Sequence, residues 1–197
     1  MHLYHIPGSR STRVLWMLEE AGAPFELTVI KPDDRHGDEH RKRHPLGKVP
    51  AAVTANGPLI ESAALVLQIA DANPQAGLIA PTDTHERALQ YQWAFYSCTE
   101  IEPGYAEHYR NIETDPTRAA AGRERFRIAA AVIDKLLADR DYLVGGTFSV
   151  ADVIVGSELQ YGRQRELTDG LANVNAYLDR LEARPALVRA RAVPAAS

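Results

Sequence analysis

The chain of 197 residues is long enough for one large or two small domains with a substantial core, so nothing in it requires a disulfide or a structural metal. Its residues are 45% hydrophobic and 24% charged, as in ordinary globular proteins, and a formal charge of −4 argues against a general nucleic-acid or membrane-surface binder. The single cysteine, Cys98, excludes an internal disulfide and a cysteine-rich zinc cluster and fits a reducing compartment.

The chain opens with a short apolar strand over residues 2–6, broken by Pro7-Gly8. The small-hydroxyl cluster Ser9-Arg10-Ser11-Thr12 then leads into the apolar run 14–18, which predicts a buried helix. A strand feeding a tight turn into a helix N-terminus leaves free backbone N–H groups and a partial positive charge, which favours an anion there. The same residues also read as a plain N-cap. Gly22 and Pro24 stop the helix, and the alternation of residues 25–30 predicts a second strand. Strand, helix and strand within about thirty residues make a βαβ unit with parallel strands.

From residue 31 to residue 44 the pattern dissolves into charge, as in a solvated loop or loose helix. His36, His40 and His44 recur there every four residues and would share a helix face, but no carboxylate or cysteine completes a metal set, so no metal is expected. A strand over residues 48–54, an Asn56-Gly57 turn and the run 58–60 predict a hairpin. Pro50 at the strand's head forfeits a ladder hydrogen bond and is a candidate for a cis peptide bond. Glu61-Ser62 opens a helix that ends near Asn73-Pro74.

Residues 75–84 read as a linker, and everything beyond is helical in character. The segment 84–110 carries spaced aromatics and a break near Pro103-Gly104. The segment 115–139 places Phe126, Ile128, Val132, Ile133, Leu136 and Leu137 at helical spacing. Ser149-Val150-Ala151-Asp152 predicts a capping box that clamps the preceding Gly145-Gly146 loop to a helix start. Shorter helices follow over 174–181 and 185–191. No apolar run reaches membrane-spanning length and the N-terminus lacks a signal-peptide pattern, which points to the cytoplasm.

Four features, in this order and separation, resemble the cytosolic glutathione transferase family over essentially the whole chain. They are the Pro7-Gly8-Ser9-x-Ser11-Thr12 turn, Gly47-Lys48-Val49-Pro50, Glu61-Ser62 at a helix start, and Phe148-Ser149-x-x-Asp152 after a Gly-Gly loop. The resemblance is to serine-type, bacterial-like members. It implies an α/β thioredoxin-like domain over residues 1–74 that binds glutathione, the linker 75–84, and an all-α helical bundle over 85–197 that walls a pocket for a hydrophobic electrophile. It implies a cytoplasmic homodimer whose partners are glutathione, as co-substrate, and a small electrophile, with neither nucleic acid nor membrane.

Within that resemblance Pro50 looks like the family's cis-proline and Val49 like the residue whose backbone pairs with the cysteinyl part of glutathione. Lys48 sits where a peptide-touching residue is found, and Glu61 and Ser62 look like the pair holding the γ-glutamyl end. That pair also has its own physical basis: a hydroxyl and N–H at a helix N-terminus suit a carboxylate, and a glutamate suits an ammonium. The basic run Arg41-Lys42-Arg43 is a candidate for the glycine carboxylate.

An unperturbed thiol has a pKa near 8.5, and lowering it by about two units takes roughly 2.7 kcal/mol of thiolate stabilisation. One hydroxyl donor plus a helix N-terminus is of that size. The candidates are Ser9, which aligns with the catalytic position of serine-type members, then Ser11, Thr12 and Tyr4. The lack of cysteine at positions 9–12 argues against chemistry through a mixed disulfide. Tyr96, Tyr105 and Tyr109 are candidate walls of the electrophile pocket. A glutathione-dependent peroxidase and a non-catalytic binding or assembly module of the same architecture are the alternative functions.

Overall fold

The computed structural model describes residues 1–196. The chain folds into two compact units, one formed by Met1–Ile79 with the C-terminal segment from Ala183, the other by Ala80–Glu182.

In the first unit, β1 (His2–His5), α1 (Ser11–Ala21) and β2 (Glu26–Val29) form the expected βαβ unit, with β1 and β2 parallel. β3 (Ala51–Thr54) runs antiparallel to β1, and β4 (Gly57–Leu59) antiparallel to β3, giving the order β2-β1-β3-β4. Pro58, without an N–H, is tolerated because β4 is an edge strand. The hairpin closes one residue earlier than the Asn-Gly rule predicts. Thr54 pairs with Gly57, so the two-residue turn is Ala55-Asn56, and Gly57 enters β4 at φ 112°. The Thr54 hydroxyl fixes this choice, donating to the Gly57 carbonyl at 3.0 Å and accepting the Asn56 N–H at 3.1 Å.

α1 carries a continuous buried run from Val14 to Leu18, and it packs against β1, α3 (Ser62–Ala72) and α9 (Pro185–Arg191). Leu3, Ala51, Ala52, Leu65, Val66 and Ile69 complete this core. Between β2 and β3, the short α2 covers only Asp38–Arg41. The sequence reading runs the helical domain to residue 197, whereas α9 returns to α1. Arg184 reaches Glu20 with two bonds of 2.6 and 2.8 Å, and Arg189 reaches Glu19 at 2.6 Å.

The second unit is built from α4 (His85–Tyr96), α5 (Glu102–Asn111), α6 (Pro116–Leu136), α7 (Val150–Arg163) and α8 (Ala172–Glu182). α4 and α5 are joined by a π-helical turn over Ser97–Ile101. Pro103 in the first turn of α5 explains it, because its ring cannot sit against the carbonyl four residues back. α5 and α6 approach at glycines: a Cβ on Gly104 would stand 2.6 Å from the Phe126 backbone nitrogen, and one on Gly122 only 2.3 Å from that of His108. The α6 stripe that faces inward is Gly122, Phe126, Ala129, Ala130 and Ile133, continued by Leu137. Ile128 and Val132, grouped with Phe126 and Ile133 by helical spacing in the sequence, lie on the opposite face and are 61% and 47% exposed.

The capping box at the start of α7 is present. The buried Asp152 carboxylate accepts the Ser149 N–H at 2.8 Å, the Leu143 N–H at 3.0 Å and the Tyr177 hydroxyl at 3.0 Å, tying loop, helix start and α8 together.

Candidate active site

Strand direction alone gathers the candidate residues of the first unit. β1 ends at His5, and Tyr4 pairs with Ala51, so the Pro7–Ser9 turn leaves the sheet where Val49-Pro50 enters it. Leu59 pairs with Ala52, so β4 also ends at this edge, and Glu61-Ser62 follows within three residues. Three loops therefore converge at one end of the sheet. The β1–β3 ladder stops at Ala51, which leaves the Val49 backbone outside it, and the Val49–Pro50 bond is cis.

The two serines of the first turn differ sharply in environment. Ser9 is half-buried, and its hydroxyl donates to the Ile6 carbonyl at 2.7 Å while its Oγ accepts the Ser11 N–H at 3.3 Å. Ser11 is 0% exposed; its Oγ lies 2.7 Å from Ser9 Oγ and 2.7 Å from Nδ1 of His5, and it accepts the Ile6 N–H at 3.1 Å. Burial holds the His5 imidazole at about 4, so it is neutral at physiological pH. Of the two serines, Ser9 is thus the less buried. Tyr4, on the opposite face of β1, is stacked on His2 with 4.5 Å between ring centroids and lies beneath the Arg43 guanidinium at 4.3 Å.

The charged segment borders the same edge. His40 is buried, and its Nε2 lies 2.8 Å from the Lys48 carbonyl, so it steadies the backbone just ahead of Val49-Pro50. The Lys48 side chain is exposed. His44 is buried and held below its ordinary pKa by desolvation, with Glu61 pulling the other way and His40 and Lys48 adding to the depression. The expected common face of His36, His40 and His44 does not form. His36 sits in a separate 3-10 turn, α2 is too short to span all three, and among the described residues no group of three or more His, Cys, Asp or Glu is placed to hold a metal ion.

Glu61 is not an ordinary helix cap. Its φ is 69° and ψ 106°, and its side chain makes no capping bond to α3, whereas a normal cap residue is extended and bonds the first turn. Positive φ in a residue with a long side chain is a strained conformation of the kind concentrated at ligand sites. The effect is to expose the carboxylate while Ser62, 7% exposed, sits at the free N–H end of an eleven-residue helix.

In the second unit, Tyr105 and Tyr109 are brought together and Tyr96 is not. Tyr105 stacks between Tyr109 and Tyr161, with centroid separations of 5.8 and 5.6 Å, and Arg165 lies 5.1 Å from the Tyr109 centroid. Burial raises the Tyr105 hydroxyl pKa, partly offset by a hydrogen bond from Arg165. Tyr96 instead donates to the Ala129 carbonyl at 3.2 Å and packs edge-on to Trp93.

The N-terminal domain model of the glutathione S-transferases matches residues 1–71, and the C-terminal domain model matches residues 86–185. The chain belongs to the glutathione S-transferase family of enzymes. It is 27% identical over 190 residues to glutathione S-transferase GstA of Escherichia coli O157:H7, covering 94% of each chain. A sphingomonad glutathione S-transferase solved in complex with glutathione superposes with a TM-score of 0.88 at 29% identity, covering 97% of each chain. The beta-class enzyme of Sphingomonas chungbukensis gives 0.87 at 28% identity, again covering 97% of both. These values extend the glutathione S-transferase fold, thioredoxin-like sheet and helical domain alike, over 97% of the chain.

Sequence reasoning passed over three residues of this transferase that the structure brings forward. His5 reads as one more residue of an apolar strand, and only the inward alternation of β1 could have marked it. His40 reads in the sequence as one of three histidines at four-residue spacing, and nothing local marks it as a backbone anchor. Tyr161 joins the tyrosine stack from α7, a contact between helices that carries no local signal.

Proposed function

We propose that the protein binds glutathione along the edge where the three loops meet and uses it as a thiolate nucleophile against a hydrophobic, electrophilic small molecule. The observation that carries this reading is the contrast within one turn: Ser9 is only half-buried, whereas Ser11 is wholly buried. Ser9 donates to the thiolate, and the N-terminal end of the α1 dipole adds a favourable field. The thiol proton leaves to solvent. The sulfur electron pair then forms the new C–S bond, and the displaced pair leaves with the leaving group or onto the electron-withdrawing substituent.

The rest of the tripeptide has matching partners. The γ-glutamyl carboxylate goes to the Ser62 hydroxyl and the first N–H groups of α3, and its ammonium to Glu61. The peptide portion pairs with the backbone of Val49 beside Pro50, with Lys48 alongside. Arg43 is drawn to the Tyr4 ring, which favours Lys48 for any contact with the glycine carboxylate. Tyr105 and Tyr109, with Tyr161 behind them, offer flat apolar surface to the electrophile, and Tyr96 is the weaker candidate because its hydroxyl is engaged by Ala129. The protein acts in the cytoplasm, as part of detoxification, and as a homodimer; light scattering giving the mass of one chain would contradict the dimer.

The test is the Ser9→Ala variant assayed with an aryl halide over a range of glutathione concentrations. Turnover should collapse while the KM for glutathione stays within a few-fold of the parent. Retained turnover in Ser9→Ala with loss in Ser11→Ala would transfer the role to Ser11.

A further inference from the structure

We propose that His5 and Ser11 are positioning residues forming a one-way hydrogen-bond chain that keeps the Ser9 proton from turning back to Ser11 and so leaves it for the Ile6 carbonyl at rest and for the thiolate when glutathione is bound. This rests on the reading of Ser9 as the thiolate's donor and adds to it the reason that the donor points the right way.

The direction follows from counting protons. A buried histidine with one ring nitrogen paired must place its proton on one side or the other, and Nε2 of His5 has no hydrogen-bond partner among the described residues. A buried N–H without an acceptor is costlier than a buried lone pair without a donor, so the proton belongs on Nδ1, the nitrogen 2.7 Å from Ser11 Oγ. The depression of the His5 pKa by burial is consistent with a single proton on the ring.

Ser11 Oγ then accepts twice, from His5 Nδ1–H and from the Ile6 N–H at 3.1 Å, which fills both of its lone pairs. Its own proton has two acceptors in reach, Ser9 Oγ at 2.7 Å and the Ile6 carbonyl at 3.2 Å, and the shorter contact takes it. Ser9 Oγ in turn accepts from the Ser11 hydroxyl and, more weakly, from the Ser11 N–H at 3.3 Å. The Ser9 proton therefore cannot point back into the chain. It has the Ile6 carbonyl, 2.7 Å away, as its resting partner and the sulfur as its alternative. Hydrogen bonds in series polarise one another, so each donor behind Ser9 also strengthens the bond that Ser9 gives.

The experiment is a titration of the bound glutathione thiol, followed by thiolate ultraviolet absorbance, in the parent and in Ser9→Ala, Ser11→Ala, His5→Phe and His5→Asn. Ser9→Ala should raise the thiol pKa most. Ser11→Ala and His5→Phe should each raise it by at least about half a unit, a roughly threefold loss of thiolate at neutral pH. His5→Asn, whose side-chain amide N–H stands close to where Nδ1–H stood, should recover most of the parent value, which a purely space-filling role would not predict. Ser11→Ala removes a single oxygen and keeps the test open if His5→Phe fails to fold. A raised pKa in Ser9→Ala with parent values in Ser11→Ala and His5→Phe overturns the chain and leaves the Ser9 reading standing. A parent value in Ser9→Ala overturns both.

Discussion

Ser9 and Ser11 are two residues apart, yet Ser9 is half-buried and Ser11 is wholly buried, its hydroxyl meeting His5, Ser9 and the backbone of Ile6. That difference decides what each can do. A hydrogen bond to a charged partner contributes about 1.5–3 kcal/mol, so losing the Ser9 donor should lower kcat by roughly 10- to 100-fold. The KM for glutathione should barely move, because the peptide's other anchors, Val49, Glu61 and Ser62, are untouched. The residue types in the turn were legible as a hydroxyl cluster at a helix start. Which serine is buried was not, because it depends on the inward alternation of β1 and on His5 claiming Ser11. Glu61 teaches the same lesson: its identity was readable, whereas its positive φ follows from how the chain leaves β4.

Elements of the helical unit carry two sharper tests. Gly122 lies inside α6, where alanine would ordinarily gain about 1 kcal/mol in helix propensity. Its Cβ, however, would stand 2.3 Å from the His108 backbone nitrogen, and prying two packed helices apart costs about 1–3 kcal/mol or more. Packing wins, so Gly122→Ala should lower the urea midpoint; a raised midpoint would show that the α5–α6 contact is looser than described.

The second test concerns Asp152, whose burial lifts its pKa from 3.8 to about 6 against the pull of its hydrogen bonds from Leu143, Ser149, Tyr177 and the Ser149 hydroxyl. The folded state therefore binds more protons than the unfolded one between about pH 4 and pH 6, and its stability falls as pH rises through that window. The loss is at most roughly 3 kcal/mol. Asp152→Asn lacks this slope, so parent minus variant stability should decrease from pH 4 to pH 7. An increase would mean that the hydrogen bonds outweigh burial. The box itself was legible because it is local in sequence; the involvement of Tyr177, twenty-five residues on, was not.

At the scale of the whole molecule, the chain completes its first unit last. α9 packs on α1 through Leu187 and Ala190 in the core and through the paired bonds of Arg184 to Glu20, whose carboxylate also accepts the Trp16 indole N–H at 2.8 Å. Glu20's side chain is only 9% exposed and Arg184's 27%, between a surface pair at about 0–1 kcal/mol and a buried one whose rupture costs about 3–5 kcal/mol. Arg184→Ala should accordingly destabilise the protein by roughly 2 kcal/mol, read from urea unfolding followed by tryptophan fluorescence; an unchanged midpoint would make the contact incidental. The sequence located α9 residue for residue but assigned it to the helical domain, since chain proximity was the only guide. Periodicity and turn signals recovered the order of strands and helices along the chain. They could not say where the terminal helix docks or which apolar positions of α6 face out.

The central claim is that Ser9 holds glutathione as its thiolate, and the pKa of the bound thiol tests it most directly. In the parent protein the thiol should titrate below 7, about two units under the ordinary value near 8.5, and in Ser9→Ala it should return toward 8.5. A parent thiol that titrates near 8.5, or a Ser9→Ala complex that keeps the lowered value, would contradict the account.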